Sequence, residues 1–118
     1  MRRLLLACGL VAASFAGCSS GSGSPAGTVA PIAASEYKFD PSTISVPAGQ
    51  VTFKITNTGT IEHEFELERN GQTVDEVEHI VPGLERDLTV TLAVGQYTFV
   101  CALPGHEEQG MTGSLTVH

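Results

Sequence analysis

Alternating apolar and polar positions recur from about Ser35 to the end of the chain. The runs include EYKFD, TISV, QVTFKITN, HEFEL, LTVTL, YTFVC and SLTV, separated by turn sequences such as NTGT, RNGQ, AVGQ and LPGH. Because successive side chains of a strand point to opposite faces, each run gives one apolar and one polar face. No segment shows the period of a helix. The pattern predicts an all-β domain over residues 35–118, an antiparallel β-sandwich of about seven or eight strands.

The same alternation places two side chains with metal-binding chemistry inside the predicted sandwich. His63 lies on the apolar face of HEFEL, and Cys101 lies on the apolar face of YTFVC. Each is at the end of its run, beside a turn sequence. The segment VDEVEHIVPG, residues 74–83, is the least regular part of the domain and is compatible with a strand, a helical turn or a loop.

The first residues are typical of a secretory signal. A basic pair, Arg2 and Arg3, precedes an apolar run that ends in small residues before Cys18. The segment resembles a bacterial lipoprotein signal with FAGC as its lipobox, which implies cleavage of residues 1–17 and acylation of Cys18. LLAC ending at Cys8 is a competing lipobox with a shorter apolar stretch, and plain secretion with cleavage nearby is the other alternative.

Cys18 is followed by a run rich in serine and glycine, SSGSGSPAGT, and residues 18–34 are predicted to be the lipidated cysteine and a flexible linker. Lipid, linker and domain in this order predict an extracytoplasmic domain that is anchored to a membrane without spanning it.

Charge narrows the set of partners. The 118 residues carry six basic and thirteen acidic side chains, a formal net charge of -7, which argues against nucleic-acid binding. Four of the acidic residues alternate through one run: Glu62, Glu64, Glu66 and Glu68. This run is either a solvated strand face or a docking surface for a basic redox protein. We expect the domain to be a monomer.

Cys101 is the only cysteine that remains in the predicted domain, because Cys8 leaves with the signal and Cys18 carries lipid or is terminal. An unpaired thiol in an oxidising compartment requires an explanation. Cys101 is a buried structural thiol, a metal ligand, or a nucleophile paired with His63 or His106. The nucleophile hypothesis has no evident third group or oxyanion hole in the sequence.

Four residues together favour the metal-ligand interpretation: His63, Cys101, His106 and Met111. Two imidazoles, one thiolate and one weak thioether are the donors of an electron-transfer copper site, because they accommodate both Cu(I) and Cu(II). The spacing C-x4-H-x4-M allows one loop to supply three ligands. His79 lacks a partner at ligand spacing and is interpreted as a structural or surface residue, and His118, the last residue of the sequence, is interpreted as exposed.

The sequences YTFVCALPGHEEQGMTGSLTV and NTGTIEHEFEL resemble the cupredoxins, the blue copper proteins, from about Ser35 to His118. The resemblance implies a Greek-key β-sandwich and one mononuclear type 1 copper, with His63, Cys101 and His106 as equatorial ligands and Met111 as the axial ligand. Many cupredoxins have an asparagine after the first histidine, where this chain has Glu64. HIVPGLERDLTVTLAVGQYTFVC is also similar to cupredoxin-like domains of periplasmic iron-uptake lipoproteins.

The function that this resemblance implies is the transport of single electrons between redox proteins, without enzymatic chemistry. His106 is then the expected exit route for the electron, and the apolar rim formed by Ala102, Leu103 and Pro104 is the expected docking patch. The alternative is a copper-binding or copper-delivery module in which the metal is cargo.

Overall fold

The computed structural model describes residues 27–118, which form nine strands and one short 3₁₀ turn. The strands are β1 (Thr28–Ser35), β2 (Lys38–Asp40), β3 (Thr43–Val46), β4 (Gly49–Asn57), β5 (His63–Arg69), β6 (Gln72–Ile80), β7 (Glu85–Leu92), β8 (Gly95–Val100) and β9 (Thr112–Val117), and the turn is Glu107–Gln109. The predicted signal peptide and lipidation site Cys18 lie outside the described residues. Within residues 27–118, no helix is long and apolar enough to cross a membrane.

The strands form two sheets that enclose one core, which confirms the all-β sandwich. One sheet has the order β2, β1, β4, β7, and the other has the order β3, β9, β8, β5, β6. Both sheets are mixed, because β1 pairs with β4 and β3 pairs with β9 in parallel. The prediction of an antiparallel sandwich was wrong for these two pairs, since alternation reports which face of a strand is buried and not the direction of its neighbour.

The linker prediction was wrong at its carboxyl end, because β1 occupies Thr28–Ser35 inside the segment 18–34 that was assigned to the linker. The buried positions of β1 include the small residue Ala30, so its apolar face gives a weak signal. Pro31 is also unfavourable in a central strand. It is tolerated because β1 pairs with β2 only through Ala33, Ala34 and Ser35, and Pro31 lies at an unpaired stretch of that edge.

The irregular segment VDEVEHIVPG is largely strand, since β6 extends to Ile80. β6 pairs with β5 through two register shifts, and most of its residues are exposed. An edge strand that is solvated on both faces has no alternating pattern, which explains why the sequence did not decide between a strand, a helical turn and a loop for this segment. With β1 and β6 included, the strand count is nine instead of seven or eight.

Four phenylalanines form the centre of the core between the sheets. The ring centroid of Phe65 lies 5.7 Å from that of Phe39, 5.3 Å from that of Phe53 and 5.4 Å from that of Phe99. Burial of each such ring stabilises the fold by about 1.5–3 kcal/mol. The same core extends to Cys101 and Met111, so the loop after β8 begins and ends at buried side chains.

Candidate metal centre

His63 is placed by the strand that it begins. It is the first residue of β5, and its side chain is fully buried on the same face as Phe65 and Leu67. This agrees with the alternation of HEFEL. Burial lowers the pKa of His63, so the neutral imidazole, which can bind a metal, is the favoured form.

The loop between Cys101 and Met111 is closed by its own backbone. The N–H of Cys101 donates to the carbonyl of Met111 at 3.1 Å, and the N–H of Met111 donates to the carbonyl of His106 at 3.2 Å. The 3₁₀ turn ends at Gly110, whose φ of 108° suits a residue without Cβ. These backbone hydrogen bonds and the turn fix the three residues of the C-x4-H-x4-M motif relative to one another.

The structure brings His63, Cys101 and His106 together. One potential ligand atom from each residue lies within 4.8 Å of the other two. The Sγ of Cys101 is 3.4 Å from Nδ1 of His106, and the ring centroids of the two histidines are 5.3 Å apart. Met111 is fully buried, and its backbone bonds to Cys101 and His106 place it at the same end of the sandwich.

The thiol of Cys101 is in an environment that suits a ligand better than a nucleophile. Cys101 is fully buried, and burial raises the pKa of its thiol. Reactive cysteines have a lowered pKa and are accessible to a substrate, so the nucleophile hypothesis loses support. The N–H of Glu64 donates to the Sγ of Cys101 at 3.3 Å and holds the sulfur toward β5.

Two residues near the site were not found by sequence analysis. Oε1 of Glu36, in the turn between β1 and β2, accepts hydrogen bonds from the backbone N–H groups of Thr60 and Ile61 and lies 3.3 Å from Nε2 of His63. The N–H groups of Ile61 and Thr60 lower the pKa of Glu36 to about 2, so its carboxylate is ionised. No local signal identifies Glu36, because its partners lie more than twenty residues later.

Asn57 is the second such residue. Its buried amide donates to the carbonyls of Ile61 and Ile80 at 2.7 Å each, and its Oδ1 accepts from the N–H of Gly59 at 2.8 Å. The loop that leads to His63 is therefore held by Glu36 and Asn57. These contacts explain how the ligand loop is fixed without the asparagine that many cupredoxins have at the position of Glu64. The position of Asn57 at the start of NTGT was a signal for a turn only.

The two remaining histidines lie away from the three grouped ligand atoms. His79 is exposed, and its Nδ1 is 3.1 Å from a carboxylate oxygen of Glu62, which raises the pKa of His79. Its backbone has a φ of 56°, a left-handed conformation at the end of β6. His118 is exposed and its Nδ1 is 3.1 Å from the hydroxyl of Ser45. Both are surface residues.

The residues present fit one copper ion. Nδ1 of His63 is buried without any hydrogen-bond partner, which is costly for a polar atom unless it serves as a ligand. At metal-ligand bond lengths of about 2.0–2.3 Å, two ligands of one ion lie roughly 3.5 Å apart, which agrees with the separation of Cys101 and His106. Two imidazoles with a thiolate and a neighbouring thioether are the donor set of electron-transfer copper sites.

Comparison with known proteins defines the class. The chain belongs to the cupredoxin-like family, because the sequence model of the family described as "Cupredoxin-like domain" matches residues 6–117. Copper-resistant cuproprotein CopI of Rubrivivax gelatinosus is 32% identical over an alignment of 108 positions, and the match covers 76% of this chain and 66% of CopI. Iron uptake system component EfeO of Escherichia coli strain K12 is 32% identical over 72 residues, 61% of this chain and 19% of EfeO. The chain thus spans less than two thirds of either relative.

Solved structures agree with the fold. Auracyanin of Roseiflexus castenholzii superposes with a TM-score of 0.70 at 24% identity, covering 77% of this chain and 97% of that chain. Rusticyanin of Thiobacillus ferrooxidans superposes with a TM-score of 0.66 at 20% identity, covering 78% of this chain and 79% of that chain. The resemblance to cupredoxins is therefore confirmed at the level of family and fold.

Proposed function

We propose that this chain is a type 1 copper protein that carries single electrons between redox partners and is not an enzyme. The observation that carries the proposal is the buried convergence of His63, Cys101 and His106, with an unpartnered Nδ1 on His63. Membership of the cupredoxin-like family and the likeness in fold to auracyanin and rusticyanin support it.

In this function the protein supplies a fixed set of donors, and no bond to a substrate is made or broken. When bound, copper would accept one electron from a donor and pass one electron to an acceptor. His63, Cys101 and His106 would bind the ion, and Met111 would supply a weak thioether donor. The N–H of Glu64 holds the thiolate, and the backbone bonds of the 101–111 loop limit its movement, which keeps reorganisation small.

The electron would leave through His106, the ligand that is partly exposed. His106 lies at the loop surface, whereas His63 is fully buried. The rim beside His106 consists of exposed Ala102 and Pro104 with partly buried Leu103. An apolar rim of this kind suits a transient contact that must bring two redox centres close together.

The proposed environment and partners are supported by the sequence. We propose an extracytoplasmic protein that is anchored to a membrane by lipid on Cys18, and a redox protein with a basic surface as its partner. All thirteen acidic residues fall within residues 27–118, together with only four of the six basic residues. Such a charge would accelerate encounter with a basic partner.

Copper binding or delivery without electron transport is the second candidate. The name of the relative CopI, a copper-resistant cuproprotein, favours it. In this case copper would be cargo, and the protein would release it to a partner. The two functions differ in whether the protein keeps its metal through a redox cycle.

The experiment is a Cu(II) titration of the purified protein monitored by visible absorption, beside Cys101→Ser and the control Cys18→Ser. We expect an intense thiolate-to-copper band that saturates at one equivalent, persists in Cys18→Ser and is lost in Cys101→Ser. Repeated reduction and reoxidation without loss of metal supports an electron carrier, and release of Cu(I) on reduction supports delivery. Absence of the band would overturn the electron-carrier function, and failure to bind either Cu(II) or Cu(I) would overturn both copper functions.

A further inference from the structure

The carboxylate of Glu36 joins two distant parts of the site through one oxygen atom. Oε1 of Glu36 accepts the N–H of Thr60 at 2.7 Å and the N–H of Ile61 at 2.9 Å, and the same Oε1 lies 3.3 Å from Nε2 of His63. Glu36 belongs to the turn between β1 and β2, Thr60 and Ile61 belong to the loop before β5, and His63 is the first residue of β5.

The packing of this loop is built around the carboxylate. Gly59 lies so close to the carboxylate of Glu36 that a Cβ at this position would overlap its oxygen atoms. The amide oxygen of Asn57 holds the N–H of Gly59 from the other side, at 2.8 Å. Loop residues 59–61 therefore contact the carboxylate of Glu36 through two backbone hydrogen bonds and one close approach.

The contact also determines which nitrogen of His63 is available. A neutral imidazole carries one proton, and an ionised carboxylate beside Nε2 favours the proton on that nitrogen. The lone pair then remains on Nδ1, which is the buried atom without a hydrogen-bond partner. In metal sites of other proteins, a carboxylate that accepts the N–H of a ligand histidine fixes the tautomer and makes the imidazole a stronger donor.

We propose that Glu36 is a positioning residue of the copper centre, which fixes the tautomer and orientation of His63 and favours Cu(II) over Cu(I) by its negative charge. The inference rests on the proposed copper site and extends it beyond the four ligands. Because an anionic partner makes the imidazole more basic, it stabilises the more positive ion more strongly.

Glu36→Gln is the informative variant, because glutamine keeps an oxygen that can accept from Thr60 and Ile61 but removes the charge. The matched control is Glu62→Gln, which removes the same charge one residue before His63, from a carboxylate whose contact is to exposed His79. Both variants and the unchanged protein are compared in Cu(II) affinity, Cu(I) affinity and reduction potential at one pH.

We expect Glu36→Gln to lose about 10–100-fold in Cu(II) affinity, as is typical when such a partner is removed, and less in Cu(I) affinity. A tenfold difference between the two losses raises the reduction potential by about 59 mV, the value for a one-electron couple. Glu62→Gln should change each quantity much less. Equal changes in affinity and reduction potential in the two variants would mean that any nearby negative charge has the same effect as Glu36, and would overturn the inference.

A metal-free measurement keeps the test independent of copper chemistry. Nitrogen chemical shifts of His63 in the unchanged apoprotein should show the proton on Nε2, and Glu36→Ala, which removes the accepting oxygen, should shift the population toward the other tautomer. An unchanged tautomer in Glu36→Ala would overturn the positioning role. If the unchanged protein shows this tautomer but no thiolate-to-copper band, the proposed function fails and the hydrogen bond remains a structural one.

Discussion

At the scale of single residues, the four proposed ligands differ in how firmly the structure supports them. His63, Cys101 and His106 offer ligand atoms within 4.8 Å of one another. Met111 is supported by its full burial and by backbone bonds to the other two loop ligands. A buried methionine is otherwise ordinary core filling, so its role has to be tested apart from its packing.

Substitution of Met111 separates these two roles. Met111→Leu conserves volume and should cost less than about 1.5 kcal/mol in stability. It removes the proposed thioether donor, and loss of a donor destabilises Cu(II) more than Cu(I), so the reduction potential should rise while the thiolate-to-copper band remains. Met111→Gln supplies a harder oxygen donor and should lower the potential. Electrochemistry of both variants checks the prediction, and equal potentials in all three proteins would make Met111 a core residue only.

At the scale of elements, the loop between β4 and β5 determines where His63 lies. Asn57 is 1% exposed, and its side chain makes three hydrogen bonds, to Gly59, Ile61 and Ile80. The backbone N–H of Asn57 also donates to the carbonyl of Leu84 at 3.0 Å, so the same residue connects β4 to the turn before β7. The ligand loop is thus part of the folded framework and not an appended segment.

Asn57→Ala should therefore destabilise the apoprotein by roughly 2–3 kcal/mol, because it leaves the carbonyls of Ile61 and Ile80 and the N–H of Gly59 without their partner. Urea unfolding measures this loss. Thr60→Ala, an exposed position in the same loop, serves as the control and should lie within about 0.5 kcal/mol of the unchanged protein. A loss below about 1 kcal/mol for Asn57→Ala would mean that water replaces the amide.

The elements also show what the sequence could predict. Alternation located β5 and β8 and the inward direction of His63 and Cys101, because one face of each strand is buried against the core. It did not locate β1, whose buried face includes small alanines, or reveal that two strand pairs are parallel. It could not reveal Glu36, because a contact between a turn and a loop more than twenty residues away leaves no local pattern.

At the scale of the whole molecule, the proposed copper centre lies at one end of the sandwich. Cys101 follows the carboxyl end of β8, and exposed Val94 precedes its other end. At about 3.4 Å per residue, the six residues of β8 separate these ends by roughly 20 Å. A charge placed at Val94 is therefore beyond the Debye length of about 10 Å in 0.1 M salt, whereas a charge placed at Ala102 is beside the proposed exit.

This separation gives a direct test of the route through His106. Ala102→Glu adds a negative charge at an exposed rim position, and Val94→Glu adds the same charge at the far end. In stopped-flow oxidation of the reduced protein at 0.1 M salt, Ala102→Glu should slow the reaction with anionic ferricyanide roughly two- to fivefold and accelerate that with the tris(phenanthroline)cobalt(III) cation.

Val94→Glu should change neither rate appreciably, and both variants should keep the thiolate-to-copper band. The opposite signs with the two oxidants matter, because a general disturbance of the site would change both rates in the same direction. If Val94→Glu altered the rates as much as Ala102→Glu, the electron would leave through another surface and the apolar rim would lose its proposed role. If only Ala102→Glu acts, the loop that binds the metal is also the surface through which the electron passes.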